Sequence, residues 1–300
     1  MIALFKNFFA IIFSAIFIFN FTSTFAQDNP PPAKDEGWYW LASDNNYSKF
    51  YAPSTVIVRK QTKIGKKEVP TEIEAWTKTT YNFNGARDTI KAYGITNILP
   101  DPKVLSYSLA LLTINPQNRT IKYTREDFYD AYDNVIWSQN DGHTKEINSQ
   151  AFDEDFFVAI VDEVFYQGEV ERKNAKDRWI ELWSANHTDG TMTTLTADTT
   201  TMRMKSSNLI LWEWQEVKNL TGQVAEIRFM KKAINLSQGT EKIITGKIWD
   251  MNSRRWSELD DEYGGAYRMI RSNEPDYKGL VRLRAFVKSH EAWVNRYTMS

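Results

Sequence analysis

Alternating apolar and polar residues in the middle of the chain predict β-strands. Glu72–Tyr81 and Leu209–Val217 combine this alternation with the β-branched and aromatic side chains that half-buried strands favour. Ser106–Ile114 and Arg119–Tyr123 predict consecutive antiparallel strands joined by a turn at Pro116–Asn118. The hairpin is therefore the expected local unit of this fold.

Apolar residues at helical spacing predict an amphipathic helix after each run of strands. The first helix is expected at Asp153–Phe165, with Asp153 capping its start, and the second is a long helix at Asp276–Tyr297 laid on its sheet. The apolar stripe of the first contains Phe156, Ile160 and Val164, and that of the second contains Leu280, Leu283, Val287, Val294 and Tyr297. Shorter helices are predicted at Ala86–Ala92 and Gln223–Ala233. The pattern as a whole predicts an α+β protein.

The first 26 residues have the pattern of a secretory signal peptide. A positive charge precedes the apolar run Asn7–Phe21, and small residues follow up to Ala26. The alternative is an uncleaved anchor, but Asn20 and the Thr/Ser cluster interrupt the run, and a span needs about 20 apolar residues. We expect residues 1–26 to be removed and 27–36 to form a Pro-rich linker. No later stretch is apolar for long enough to predict a span in the mature chain.

Two parts of the mature chain have similar sequences, which predicts a tandem duplication. Gly37–Trp40 followed by Phe50–Arg59 is echoed by Arg178–Trp183 followed by Thr194–Arg203. A later set, Asn118–Arg119, Asp127–Tyr132 and Val135–Ile136, is matched to Ser253–Arg254, Glu262–Tyr267 and Met269–Ile270. The expected domains are residues 37–168 and 178–300, with a seam near 168–177. The alternative is two β-patterned stretches that share only their composition.

The order of these motifs resembles a known family. A Trp-bearing first strand, an aromatic strand ending in a Pro-Ser or Asp-Thr turn, a Trp-bearing third strand, an Asn-Arg strand, a Tyr-Asp-x-Val-Ile hairpin and a closing helix resemble the surface-adhesin protein E-like family of small bacterial secreted domains. The resemblance covers Trp38 to about Phe165 and, more loosely, Trp179 to about Tyr297.

This resemblance implies more about the fold than about binding. It implies two tandem domains, each a bent antiparallel sheet packed by a C-terminal amphipathic helix, and its best-known members bind host matrix proteins. The family pattern often has a cysteine pair that fastens the sheet to the final helix, and this chain has Asn115 where one cysteine would fall. No binding residue is therefore carried over from the family.

Charge and cysteine content exclude several classes of function. Lys and Arg total 37 against 38 Asp and Glu, so the chain lacks the basic excess of nucleic-acid-binding proteins. The absence of cysteine excludes disulfides, thiolate nucleophiles, zinc-thiolate sites and a lipid-modified cysteine. With 42% apolar and 25% charged residues, the composition is that of a globular protein rather than a disordered or multispan one.

Catalytic motifs are missing from the sequence. His143, His187 and His290 are too far apart in the chain to predict a local metal site, and no nucleophile elbow, phosphate loop or zinc-binding His-Glu-x-x-His run occurs. The acidic clusters Asp153–Asp155 and Asp260–Glu262 suggest paired carboxylates or calcium as an alternative, but helix capping and a solvated turn account for them. We therefore predict a protein that is not an enzyme and holds no cofactor or metal.

Tryptophan is the most informative residue type. The chain has 11 Trp, and the pairs Trp38/Trp40 and Trp212/Trp214 each place two rings on one strand face, where we expect them in the core. Trp137 and Trp256 lie beside polar turn residues and are the candidate partner-binding residues.

Three functions follow from this sequence. The first is an exported, non-enzymatic protein of the periplasm, cell surface or medium that binds a macromolecular partner, adhesin-like, such as an extracellular protein or cell-envelope glycan. The second is a carbohydrate- or cell-wall-binding module that uses exposed Trp, and the third is a hydrolase with dispersed carboxylates. A purely structural role in the envelope is a further alternative.

Overall fold

The computed structural model describes residues 29–32, 37–64, 66–140, 142–166, 177–259 and 265–297. Contacts divide the chain into Met1–Pro30 and Pro31–Ser300, and all elements described below belong to the second unit. The predicted signal peptide, the acidic cluster at 260–262 and most of the predicted seam lie outside the described residues. Among the helices that are described, none combines the length and the apolar character needed to cross a bilayer.

The first antiparallel sheet contains eight strands. They are β1 (Tyr39–Ser43), β2 (Tyr47–Tyr51), β3 (Ile57–Ile64), β4 (Lys67–Tyr81), β5 (Tyr107–Asn115), β6 (Thr120–Tyr129), β7 (Val135–Asn140) and β8 (Thr144–Glu146). The strand order is β1-β2-β4-β5-β6-β7, while β3 also pairs with β4 and β8 also pairs with β6. β4 pairs with both β2 and β3, because a 3-10 turn at Pro53–Thr55 divides that part of the chain into two strands.

The second antiparallel sheet contains seven strands. They are β9 (Trp179–Asn186), β10 (Met192–Lys205), β11 (Asn208–Lys218), β12 (Val224–Asn235), β13 (Thr240–Asp250), β14 (Arg255–Glu258) and β15 (Arg268–Met269). The order is β9-β10-β11-β12-β13-β14, and β15 also pairs with β13. An irregularity between Asp198 and Arg203 bends β10 at the place where the first sheet has its 3-10 turn.

Four helices are described. They are α1 (Phe83–Ala92), α2 (Glu154–Phe165), α3 (Pro275–Ser289) and α4 (Glu291–Val294), with a 3-10 turn at Pro102–Val104 after α1. Asn82 caps α1, because its side chain accepts a hydrogen bond from the backbone N–H of Gly85 at 2.9 Å. α3 starts with Pro275 in its first turn, where a missing N–H costs nothing.

Each sheet buries one face beneath helices. α2 contributes Phe156, Phe157, Ile160 and Val161 to the core of the first sheet. A second cluster extends that face under α1, where Ile90 and Phe128 are buried. α3 contributes Leu280 and Leu283 to the core of the second sheet. Tyr297, near the end of the chain, packs into the core beneath α2, with its ring centroid 5.1 Å from that of Phe165.

The architecture is α+β and rich in antiparallel strand, at 49% strand and 19% helix. The predicted strands at Glu72–Tyr81 and Leu209–Val217 are confirmed as parts of β4 and β11, and the first hairpin is confirmed as β5 and β6. The helices predicted at Ala86–Ala92 and Asp153–Phe165 are confirmed by α1 and α2.

Three local predictions are wrong. Gln223–Ala233 is not helical: from Val224 onward it lies in β12, whose backbone pairs with β11 and, from Glu226, also with β13. The single helix predicted at Asp276–Tyr297 breaks at His290, whose backbone leaves helical geometry at φ −124° and ψ 36°. Asp153 makes no side-chain cap for α2, because its carboxylate accepts a hydrogen bond from the Tyr123 hydroxyl instead.

The later half of the predicted repeat pairing is also out of register. Asn118 and Arg119 lie in the turn between β5 and β6, whereas Ser253 and Arg254 lie in the turn between β13 and β14. By strand order, the turn that matches β5–β6 is the one between β12 and β13, which ends at Gly239. Arg119 and Arg254 are similar in sequence context because both are arginines at tight turns, with φ of 51° and 52°.

Candidate ligand-binding groove

The two candidate binding tryptophans have different surroundings. Trp256, on β14, is 46% exposed. Trp137, on β7, is half-buried, and its ring centroid lies 5.1 Å from that of Phe128 and 5.6 Å from that of Tyr93. The expected exposure therefore holds for Trp256, while Trp137 packs against the cluster beneath α1.

Of the paired tryptophans that the sequence places in the core, only Trp212 is buried. Trp40 is 57% exposed and Trp38 is half-buried. Trp212 is buried, but Leu209 and Leu211 of the same strand face α3, and strand alternation puts Trp212 on the opposite face. Trp212 is therefore buried by residues other than those of α3.

A groove of about 480 Å³ lies over that opposite face of the second sheet. Its walls come from two regions: the segment 145–153, between β8 and the start of α2, and strands β11 to β14. The lining residues are Lys145, Glu146, Asn148, Gln150, Ala151, Phe152, Asp153, Trp212, Phe229, Thr245, Gly246, Lys247 and Trp256. The groove therefore joins side chains from both predicted domains.

Stacked aromatic rings form the floor of the groove. The rings of Trp212 and Phe229 are nearly parallel, with centroids 4.5 Å apart and an interplanar angle of 22°. Trp214 packs on Phe229 and, at 6.3 Å, meets the exposed Trp256 edge to face. Trp179 meets Trp214 in the same manner at 6.5 Å. These contacts hold Trp256 in place at the rim while leaving nearly half of it accessible.

The carboxylate of Glu146 anchors one wall to the other. Its oxygens accept hydrogen bonds from Lys231 Nζ at 2.5 Å, from Arg203 at 3.4 Å and from Trp212 Nε1 at 3.4 Å. Glu146 comes from β8, whereas its partners come from β10, β11 and β12. The negative charge of Glu146 is thus matched by cations of the second sheet.

Asp153 is also paired within the wall. It is almost fully buried, accepts a hydrogen bond from the Tyr123 hydroxyl and lies 3.3 Å from Lys145 Nζ. Burial, together with the adjacent carboxylate, raises the pKa of Tyr123 well above its ordinary value, so the phenol stays protonated as the donor. Asp153 therefore orients Tyr123 and Lys145 and is no free acid in the groove.

The remaining candidates for chemistry are separated. Glu154 binds Arg178, with Oε1 2.8 Å from the guanidinium, and Asp155 binds Lys49 at 2.8 Å, so the cluster at 153–155 divides among different cations. Within the described part of the chain, no group of His, Asp and Glu has the arrangement of a metal site. His143, His187 and His290 lie on the surface.

Most of the groove could not be recognised in the sequence. The segment 145–153 attracts attention only for its acidic residues, and Phe229 lies in the stretch predicted as helix. Alternation in Leu209–Val217 does assign Trp212 and Trp214 to one face. The alternation does not indicate that segment 145–153 contacts that face. Comparison of the chain with protein-family models finds no matching family, and comparison with curated proteins finds no relative.

Proposed function

We propose that this chain is an exported, non-enzymatic binding protein, built from two related protein E-like domains, that binds a macromolecular partner at the groove. The observation that carries the proposal is Trp256, an exposed ring fixed at the rim of a cavity with an apolar floor. Clefts with an apolar floor and a few convergent polar groups are the usual form of ligand sites. We place the protein outside the cytoplasm, in the periplasm, at the cell surface or in the medium, on the strength of residues 1–26.

Equivalent hydrogen bonds in the two sheets support the duplication. Thr55 Oγ1 donates to the carbonyl of Ala52 at 2.7 Å and accepts from the N–H of Trp76 at 2.9 Å. Thr201 Oγ1 donates to the carbonyl of Asp198 at 2.8 Å and accepts from the N–H of Trp212 at 2.9 Å. Both threonines lie within the bend of their strand, and both tryptophans lie on the neighbouring long strand.

The turns between matching strands support it as well. Asn115 Oδ1 accepts a hydrogen bond from the N–H of Asn118 at 2.8 Å, and Asn235 Oδ1 accepts one from the N–H of Gln238 at 2.9 Å. Asn115, which occupies the family's cysteine position, thus has a turn-stabilising role that a second asparagine repeats. A strand order shared by both sheets, with a helix after each, is consistent with the protein E-like arrangement.

A capture experiment tests the proposed function. The full-length chain is exported, purified and offered to extracellular-matrix proteins, peptidoglycan and cell-envelope extract. We expect a saturable partner whose binding is lost in Trp256→Ala. Trp40→Ala is the matched control, because it also removes an exposed ring but lies outside the groove lining.

Trp137→Ala is measured separately from Trp256→Ala. The ring of Trp137 packs on Phe128, so its removal is expected to lower stability rather than to act at the groove. Retention of every partner by Trp256→Ala would contradict the groove as the binding site. Failure of the wild type to bind any partner would favour the structural role in the envelope.

A further inference from the structure

We infer that the groove selects a glycan whose sugar rings carry carboxylates, an inference that rests on the proposed function of the groove. Trp256 offers a fixed aromatic platform, and Lys247, on the adjacent strand β13 and the same face of the sheet, also lines the groove. A sugar ring presents an apolar C–H face to such a platform, and a carboxylate on that ring would reach the neighbouring cation.

The charges of the groove differ in how fully they are already paired. Both lining acids have close partners: Glu146 has Lys231 and Arg203, while Asp153 has Tyr123 and Lys145. By contrast, Lys247 is 59% exposed in its side chain and lies 3.8 Å from Glu258, at the outer limit of an ion pair. The charge that the groove offers to a ligand is therefore positive.

A count of the surrounding charges agrees with this sign. Four cations line the groove or hold its wall, namely Lys145, Lys247, Lys231 and Arg203. Three carboxylates face them, namely Glu146, Asp153 and the rim residue Glu258. The local excess of one cation contrasts with the formal net charge of −1 for the whole chain.

The polar side chains of the wall suit a hydroxyl-rich ligand. Asn148 and Gln150 line the groove across from Trp256, on segment 145–153, and Thr245 lines it from β13. Amide and hydroxyl groups both donate and accept, which matches the dual character of sugar hydroxyls. A long acyl chain would leave these groups without partners, at the cost of their desolvation.

Binding of hexagalacturonate tests the inference, with its fully methyl-esterified form as the neutral counterpart. The exported chain is titrated by calorimetry at low and high salt. We expect the free acid to bind more tightly than the ester, with a preference that shrinks as salt screens the charges. Trp256→Ala is expected to weaken binding of the free acid by roughly tenfold.

Two rim variants should shift affinity for the free acid in opposite directions. Lys247→Met is expected to weaken it by roughly fivefold, the upper range for an exposed ion pair, and Glu258→Gln to strengthen it, because Lys247 loses its competing carboxylate. Lys60→Met is the matched control, since Lys60 is similarly exposed and also pairs with a glutamate. A merely structural effect of the rim would not reverse sign between the two variants.

The outcomes separate this inference from the proposed function. Equal binding of acid and ester, with both lost in Trp256→Ala, would overturn the carboxylate preference and leave the groove as the binding site. No binding of either sugar, while Trp256→Ala still abolishes capture of a protein partner, would overturn the glycan inference alone. If no ligand of any kind binds in a way that depends on Trp256, both the glycan inference and the proposed function are overturned.

Discussion

The two sheets share a strand order but differ in the side chains on the face opposite their helices. In the second sheet, one row across strands β11 to β14 is Trp214, Phe229, Lys247 and Glu258. In the first sheet, the row in the same strand positions is Lys78, Leu109, Asp127 and Ser138. Phe229 and the exposed Lys247 of the second-sheet row line the groove, whereas the first-sheet row places a buried aspartate at the position of that lysine.

Two tryptophans at matching positions show that the side chains on this face, rather than the strand order, form the groove. Trp76 and Trp212 occupy the same strand position, as judged from the threonine that binds each backbone N–H. Trp76 is 1% exposed and has the guanidinium of Arg125 6.0 Å from its ring, whereas Trp212 stacks on Phe229 and borders the cavity. A tryptophan at this strand position is therefore buried in the core of the first sheet but forms part of the groove floor in the second.

Replacing each of these tryptophans with alanine should give the largest difference in the free energy of unfolding between the two sheets. We expect Trp76→Ala to lower the free energy of unfolding by about 3–5 kcal/mol, because a fully enclosed ring leaves a cavity behind. Trp212→Ala should cost less, about 2 kcal/mol, because one side of its ring already faces the groove. Urea denaturation of both variants measures the difference. A larger loss for Trp212→Ala would show that the groove floor is the more tightly packed site.

The face beneath α1 should give the first sheet a pH dependence. Glu126 on β6 is buried, and the Tyr93 hydroxyl donates to its carboxylate. Burial raises the pKa of Glu126 to about 7 from 4.5. The folded state therefore binds more protons than the unfolded state between these values, and the stability from the protonated form is lost as pH rises towards 7. The matching position in the second sheet is Gly246, which cannot titrate.

The variant Glu126→Gln is expected to remove this dependence. Its amide keeps an oxygen for the Tyr93 hydroxyl, so it should be more stable than the wild type at pH 8, by at most about 3 kcal/mol, and similar to it at pH 4.5. Denaturation curves across that range supply the measurement. Glu68→Gln, at an exposed position, is the control that should leave the slope unchanged. An unaltered slope in Glu126→Gln would mean that other groups carry the pH dependence.

The sequence pattern predicts individual strands and helices better than the contacts between them. Alternation located β4 and β11, and helical spacing located α2, because in each case the apolar face is written into consecutive residues. The sequence of β12 does not predict a strand because Val224–Ala233 has no strict alternation, and pairing with neighbouring strands on both sides makes it one.

The groove depends on contacts that are remote in the chain. Glu146 meets Lys231 across 85 residues, and no periodicity in the sequence encodes that contact. The sequence does not distinguish Trp137 from Trp256, because each lies beside a polar turn, but α1, inserted between β4 and β5, brings Tyr93 onto Trp137. Trp256 instead lies on the face of the second sheet away from α3, the face of Trp214, where it borders the groove.

Glu146→Gln offers the smallest effect and the sharpest test of how the first half of the chain forms a wall for the second sheet. The change keeps the shape of the side chain but leaves Lys231 and Arg203 without the carboxylate that lies between them. Because Glu146 is only partly shielded from solvent, we expect a loss of about 1–2 kcal/mol in the free energy of unfolding, measured by urea denaturation. Glu181→Gln removes an exposed partner of Arg282 and should cost less than about 0.5 kcal/mol. If the two variants lose the same small amount, the Glu146 contacts do not hold the wall, and the packing of Tyr297 and the ion pairs of Arg178 would have to do so.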